Sequence, residues 1–236
     1  MAKEAYTPGH ASNATDFMAQ RSLESHGGFF AGYLEQGLTV LDCGCGPGSI
    51  TLGIARKVAP GRVIGIDFGP SQIERANRAA QEAGLANVQF VPASCYALSF
   101  PDGTFDRVFS HALVEHLAEP AKAFSEFHRV LKPGGYVGVC SPDWDGFILA
   151  PPSPDLAAAI TAYRNLQGAN GGDVAAGKKF GGYLAGTGFT SIQMHARYEC
   201  YPDRAFIGEY LALQLQQQGQ PLHAEVLRRW SKQADG

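Results

Sequence analysis

Short continuous apolar runs alternate along this chain with longer stretches in which apolar residues return every three or four positions. The runs at 38–43, 62–67, 87–91, 105–110 and 136–140 have the length and composition of strands covered on both faces. Between them, 49–58, 71–82 and 120–131 carry helical spacing. Pro60-Gly61, Gly84 and Pro133-Gly134-Gly135 end those three helices. Strands alternating with helices imply right-handed crossovers, and hence an α/β fold with a doubly wound, mainly parallel sheet.

Outside that rhythm the pattern loosens. Residues 1–36 read as a helical preface in which Phe17, Met18, Arg21, Leu23 and Phe29-Phe30 mark an amphipathic element capped by Asn13-Ala14-Thr15-Asp16. After residue 140 come Pro142, Pro151, Pro152 and Pro154, a helical 155–166, and a glycine-rich loop over 168–173. The stretch 141–176 is expected to be a lid over the strand ends, too short for a core of its own. Then follow a helix over 178–185, a strand over 191–200, and helices over 203–217 and 221–232. The Gln-rich region 214–220 reads as solvent face. One domain is expected over 1–236: helical cap 1–36, cofactor-binding core 37–140, lid insertion 141–176, and C-terminal strand and helices 177–236.

Composition narrows the function classes. An apolar content of 45% and a charged content of 17% are those of a globular chain long enough to bury a sizeable core. Nineteen basic against 22 acidic residues, with no long Lys/Arg run, argue against a broad nucleic-acid footprint. No run approaches the ~20 apolar residues that cross a bilayer, and the N-terminus lacks a signal-peptide core, so a cytoplasmic location is expected. The five cysteines sit in or beside apolar runs and read as free buried thiols. Cys43-Gly44-Cys45 has no second close Cys/His pair, so no metal site is expected.

The most specific chemistry lies at two neighbouring strand tips. Val40-Leu41-Asp42-Cys43 runs into Gly44-Cys45-Gly46-Pro47-Gly48, and Val63-Ile64-Gly65-Ile66 ends in Asp67. A turn without side chains, followed by a carboxylate at the next strand tip, suits a nucleoside cofactor whose ribose diol the carboxylate accepts. A dinucleotide site would place a third glycine three residues after the second, where this chain has Ser49.

The segment from Leu41 to Gly48 resembles the first signature of the class I S-adenosylmethionine (SAM)-dependent methyltransferases. Asp67 stands where that family places its ribose-binding acid. Phe100-Pro101-Asp102-Gly103-Thr104-Phe105-Asp106 and Arg129-Val130-Leu131-Lys132-Pro133-Gly134-Gly135 resemble two further signatures. The resemblance spans roughly residues 35–141. Within the family the chain looks most like the small-molecule branch that includes the ubiquinone/menaquinone-biosynthesis type enzymes. It implies SAM as cofactor and methyl transfer to an oxygen or nitrogen of a small acceptor. The alternatives are a nicotinamide-dependent oxidoreductase and a non-catalytic SAM-binding regulator.

By the same resemblance, Gly44, Cys45, Gly46 and Gly48 line the cofactor's amino-acid and ribose region, and Asp42 contacts its ammonium from beneath. Phe68 lies against the adenine. Ser94 occupies a usual aspartate position, where its hydroxyl accepts from the adenine amino group beside the backbone of Cys95. Arg21 is the candidate partner of the SAM carboxylate. His111 packs over the methionine part, and His116 or His111 is the candidate general base, since imidazole titrates near neutrality. On the acceptor side Trp144 and Phe147 form an aromatic wall, with Asp143 or Asp145 addressing a polar or cationic group. Tyr6, His10, Tyr163, Asn170 and Tyr183 are further lining candidates. The family pattern usually completes the sheet with an antiparallel pair, and the tail offers one convincing strand, so that edge is expected to be rearranged.

Overall fold

The computed structural model describes residues 5–8, 12–198 and 204–233. Five parallel strands form one sheet: β1 (Thr39–Cys43), β2 (Arg62–Asp67), β3 (Val88–Pro92), β4 (Phe105–His111) and β5 (Leu131–Cys140). Their spatial order is β3-β2-β1-β4-β5. Helices α2 (Ser49–Val58), α3 (Pro70–Glu82) and α4 (Pro120–Val130) make the crossovers, and α1 (Ser12–Ala19) precedes them. The doubly wound expectation therefore holds.

Alternation along each strand sorts the core into two layers. Leu41, Ile64, Ile66 and Val108 pack against Phe124 and Phe127 of α4 and against Phe180 and Leu184 of α6 (Ala176–Gly186). Val40, Val63 and Phe109 face Ile50, Ile54 and Val58 of α2, with Leu23, Phe30 and Leu34 from the preface. Helix α3 has proline in its first turn and ends at Gly84 (φ +64°), where the Leu85 amide closes back on the Ala80 carbonyl at 3.1 Å.

Two of the signature segments prove to be braces. Arg129 bonds Glu126, Asp102 and the carbonyls of Leu98 and Phe100, pinning the 98–102 connection to α4. Asp106 accepts from the Thr39 amide at 2.8 Å and from Lys132 at 2.7 Å, fixing the start of β1 against β4.

The remaining helices build a second core. Helices α5 (Pro154–Ala169), α7 (Arg204–Gln217) and α8 (Pro221–Ser231) enclose Leu156, Tyr163, Ile207, Leu211, Leu215, Leu227 and Trp230, and Phe17 joins them from α1. A core here was not expected of 141–176 alone, and it exists because α7 and α8 return to cover α5. Three further expectations fail. Residues 192–198 make no strand pairing, so the expected strand at 191–200 is absent over its described part. Asn13 to Asp16 lie inside α1 and do not precede it as a cap. Strand β5 begins at Leu131, and a register shift between Phe105 and Arg107 absorbs the Pro-Gly-Gly excursion that was expected to precede the strand.

Candidate functional site

Strands β1 and β4 are neighbours whose following connections leave on opposite faces of the sheet. Their carboxyl ends therefore open a crevice, the switch point where sheets of this kind take ligands. Gly44, Gly46 and Gly48 turn there with φ of +78°, +52° and +84°. The amides of Gly44 and Cys45 both donate to the Ile66 carbonyl, at 2.8 and 2.9 Å. Asp67 then clamps the turn: its Oδ2 accepts from the Gly46 amide at 3.0 Å and its Oδ1 from the Gly69 amide at 2.8 Å. Each oxygen keeps a lone pair, so the half-buried carboxylate can still receive a diol. It caps no helix, because Gly69 holds the N-cap position of α3.

The glycines differ in what they permit. A Cβ on Gly46 would meet the Met18 sulfur alone, at 3.6 Å, so this position is open to close approach. A Cβ on Gly48 would lie 2.8 Å from the Phe90 ring and 3.0 Å from the Ala76 methyl. Gly48 is thus required by α2–α3–β3 packing, a reason independent of any ligand contact. It supplies the close helix–strand approach that the spacing at Ser49 had seemed to deny. Cys45 is buried, and its thiol reaches the Gly46 carbonyl at 3.7 Å.

Asp42 sits beneath the turn, buried, and accepts from Thr51 Oγ1 at 2.6 Å. Burial pushes its carboxyl up to about 7, which a cation placed beside it would reverse. Phe68 is 82% exposed next to Asp67 and offers a bare ring face. Ser94 Oγ accepts from the Tyr96 amide at 3.2 Å, a turn-forming role. The Cys95 side chain is buried in the same core cluster as Cys43 at the end of β1, so the thiol itself points into the core.

After β4 the chain passes through Ala112 (φ +55°) into a 3-10 turn, Val114–His116. Glu115 is buried; its Oε2 accepts from Ser141 Oγ at 2.6 Å, and its backbone carbonyl accepts from Gln167 Nε2 at 2.9 Å. Burial raises its carboxyl to about 7. His116 is buried with Nε2 3.7 Å from Glu115 Oε1, and the Tyr6 ring stands edge-on to it at 4.8 Å. Burial, helped by the Arg21 charge, lowers its imidazole to about 3. Burial and Arg21 also push His111 well down. Both imidazoles are therefore neutral near pH 7, and each has a buried Nδ1 with no partner among the described residues. As general bases they are weaker than an imidazole of ordinary basicity.

The Tyr6 hydroxyl reaches the Met18 sulfur at 3.5 Å, and Ser49 Oγ donates to the Met18 carbonyl at 3.1 Å, seating α1 over the glycine turn. Tyr163 is buried against Trp144, ring centroids 4.7 Å apart, and Trp144 meets Phe147 at 5.2 Å. This aromatic group anchors 144–147 to α5. Asn170 Nδ2 donates to Thr7 Oγ1 at 3.1 Å and so ties the preface to the end of α5.

Other expected residues stand elsewhere. Asp143 and Asp145 pair with Lys178 at 3.2 and 3.1 Å, and Asp145 also pairs with Arg164; their charge is spent on fixing the loop. Tyr183 stacks on Phe124 at 5.7 Å in the α4–α6 layer, away from the crevice. His10 lies outside the described residues. Arg21 lies on the cap side, its guanidinium 5.4 Å from the Phe17 ring centroid. Two contributors escaped the sequence pattern. Tyr210 of α7 stacks on Phe17 at 4.1 Å. Gln214, expected on a solvent face, is 1% exposed, its amide lying beside the Tyr210 hydroxyl. A helical spacing count from Tyr210 would have put Gln214 on the same face. Among the described residues there is no group of three His, Cys, Asp or Glu arranged to hold a metal, and no helix long and apolar enough to cross a membrane.

Comparison with known proteins agrees with this geometry. The family described as "Methyltransferase domain" matches residues 41–139. An uncharacterized methyltransferase of Schizosaccharomyces pombe is 31% identical over 208 residues, 84% of this chain and 74% of that protein. A demethylmenaquinone methyltransferase of Lactococcus lactis is 37% identical over 105 residues, 44% of this chain and 41% of its own length. The chain thus spans three quarters of the first relative and less than half of the second. In fold it is similar to a SAM-dependent methyltransferase from Aquifex aeolicus, with a TM-score of 0.60, 23% identity, and coverage of 76% of this chain and 89% of that one. The chain belongs to the class I SAM-dependent methyltransferases, which sets aside the nicotinamide-dependent alternative.

Proposed function

We propose that this chain transfers the methyl group of SAM to an oxygen or nitrogen of a small acceptor held between the sheet's carboxyl edge and the helical cap. SAM would supply a methyl carbon already activated on a sulfonium. The Asp67 clamp carries the reading: a carboxylate fixed by the Gly46 and Gly69 amides keeps free lone pairs beside a turn open at Gly46. Asp67 would hold the ribose diol and Gly44 and Gly46 the amino-acid portion. Asp42 fits the ammonium, whose charge would restore its ionised form. Phe68 and the 94–95 backbone would flank the adenine.

On the acceptor side this chain's residues orient and exclude water. Tyr6, Tyr163 and Tyr210 would enclose the acceptor, with His111 and His116 bordering it from the sheet edge. The neutral His116 Nδ1 can accept a hydroxyl proton during transfer, a modest contribution given its lowered basicity. Kinship with the quinone-biosynthesis branch is supported by the signature segments, and the cap decides whether it extends to the acceptor.

Calorimetric titration tests the cofactor half. Asp67→Ala is expected to raise the SAM dissociation constant by more than about tenfold, the loss of two charge-assisted hydrogen bonds. Unchanged affinity would overturn the reading. SAM binding without S-adenosylhomocysteine production over a broad acceptor panel would favour the non-catalytic regulator.

A further inference from the structure

Glu115 is a buried carboxyl that the proposed reaction leaves without a task. Three segments hold it. Its Oε2 accepts from Ser141 Oγ at 2.6 Å, just past the end of β5. Its backbone carbonyl accepts from Gln167 Nε2 of α5 at 2.9 Å and from the Asp173 amide at 2.8 Å. A Cβ on Gly172 would lie 2.4 Å from that carbonyl, so only glycine lets the 172–173 connection close on it. The other carboxyl oxygen, Oε1, faces His116 Nε2 at 3.7 Å. His116 is 8% exposed, and its Nδ1 is buried with no partner among the described residues. A short series of contacts links this imidazole to the glycine turn. Met18 Sδ lies 3.6 Å from the Cβ position of Gly46, the Tyr6 hydroxyl 3.5 Å from that sulfur, and the Tyr6 ring 4.8 Å from His116. A neutral amide could brace these segments as well, whereas burying a carboxyl here costs free energy.

We propose that Glu115 is a positioning residue for methyl transfer: its Oε1 takes the Nε2–H of His116, which leaves the imidazole's Nδ1 lone pair to receive the acceptor's proton. The inference rests on the methyltransferase reading and restricts the acceptor to a group with an O–H or N–H to give. A neutral imidazole carries one N–H, and the partner of one ring nitrogen decides which. The 3.7 Å separation is longer than a hydrogen bond, and contacts of this kind tighten when the reacting complex forms. The acceptor atom forms its bond to the methyl carbon as the carbon–sulfur bond breaks. The electron pair of that bond stays on sulfur, and the acceptor's proton passes to Nδ1. An ionised Glu115 then stabilises the imidazolium, which offsets the lowered basicity of the buried ring. The proton leaves to water as the methylated product departs.

The test uses the full chain with isotopically labelled histidine nitrogens, at about pH 8, where a carboxyl held up to about 7 is mostly ionised. Titration with S-adenosylhomocysteine comes first. Its failure to bind would count against the methyltransferase reading and not against the Glu115–His116 pair, whose tautomer is read in the free protein as well. Long-range proton–nitrogen correlation is expected to show the His116 proton on Nε2 in the parent. Glu115→Gln, whose amide oxygen still accepts, should keep it there, and Glu115→Leu should move at least half of it to Nδ1. Phenol added to the S-adenosylhomocysteine complex should shift the Nδ1 resonance at least threefold more than anisole, which has the same ring and no proton to give. A parent with its proton on Nδ1, an unchanged tautomer in Glu115→Leu, or an Nδ1 resonance that responds alike to both probes overturns the inference. So does a Glu115→Gln variant that loses S-adenosylhomocysteine affinity tenfold, which would give the carboxyl to the cofactor. Thermal unfolding of Glu115→Leu near the parent temperature excludes a folding defect; should that variant not fold, the parent tautomer and the two probes still decide.

Discussion

The sheet half and the helical cap of this protein solve the same problem, burying apolar surface around a ligand, by opposite routes. In the sheet half each element lies beside its sequence neighbours or one crossover away, and β1 to β4 pair in continuous parallel registers. In the cap, α5 meets α7 and α8 across an intervening helix and more than thirty residues of chain, and α1 contributes Phe17 from the far end of the sequence. The sheet half presents backbone and carboxylates in a fixed turn. The cap presents tyrosines, an arginine and amides from helices and from the segments beside them. A cofactor shared by a family suits the first arrangement, and an acceptor that differs between members suits the second.

The sharpest way to break this comparison is to hollow each core in turn. Phe109→Ala removes a fully buried ring between β4 and the preface and should cost about 3–5 kcal/mol. Leu215→Ala, equally buried within α7, should cost about 2–4 kcal/mol. Denaturant unfolding followed with S-adenosylhomocysteine titration separates them. The sheet variant should lose stability and cofactor binding together, and the cap variant should keep cofactor affinity within a few-fold while acceptor turnover falls. Parallel loss of both functions in Leu215→Ala would show that the two cores act as one.

A smaller effect sharpens the comparison inside the glycine turn itself. Gly48→Ala puts a methyl against Phe90 at a left-handed φ and should destabilise the fold by about 2–3 kcal/mol. Gly46→Ala meets little protein and should cost about 1 kcal/mol in stability while weakening SAM more strongly. Thermal denaturation beside calorimetry would show the reverse ranking if Gly48, and not Gly46, faces the ligand.

The mildest test is a pH series. Asp42 holds its proton up to about 7 in the fold, above the ordinary carboxyl value of 3.8. The folded state therefore binds a proton that the unfolded chain has released, and this contribution to stability is lost as pH rises towards 7. Buried Glu115 acts in the same direction, whereas the lowered His111 and His116 act oppositely below their ordinary value of 6.5. Asp42→Asn isolates one group. Relative to the parent it should gain about 2 kcal/mol between pH 5 and 8. A stability difference that stays flat across that range would remove the buried carboxyl from the account.

Legibility followed the same division. Asp67, Gly44 and Gly46 could be read from spacing because two adjacent strand tips fix both groups within a few residues of chain. Gly48 was legible as a glycine and not in its reason, since Phe90 and Ala76 arrive from β3 and α3. Asp143 and Asp145 look like ligand groups until Lys178 and Arg164, from two other helices, are seen beside them. Tyr183 sits in an apolar helix whose spacing does not say which layer it joins.

The sequence by itself determined the parallel sheet, the glycine turn and the carboxylate that clamps it, because strand period, crossover length and turn chemistry are local and leave few arrangements open. Tertiary structure alone decided that Tyr210 stacks on Phe17 and Gln214 is buried, that 192–198 adds no strand, and that α5, α7 and α8 share a core. Each of those depends on contacts between segments far apart in sequence. Side-chain pattern specifies a face to bury, and only the packed chain specifies what covers it.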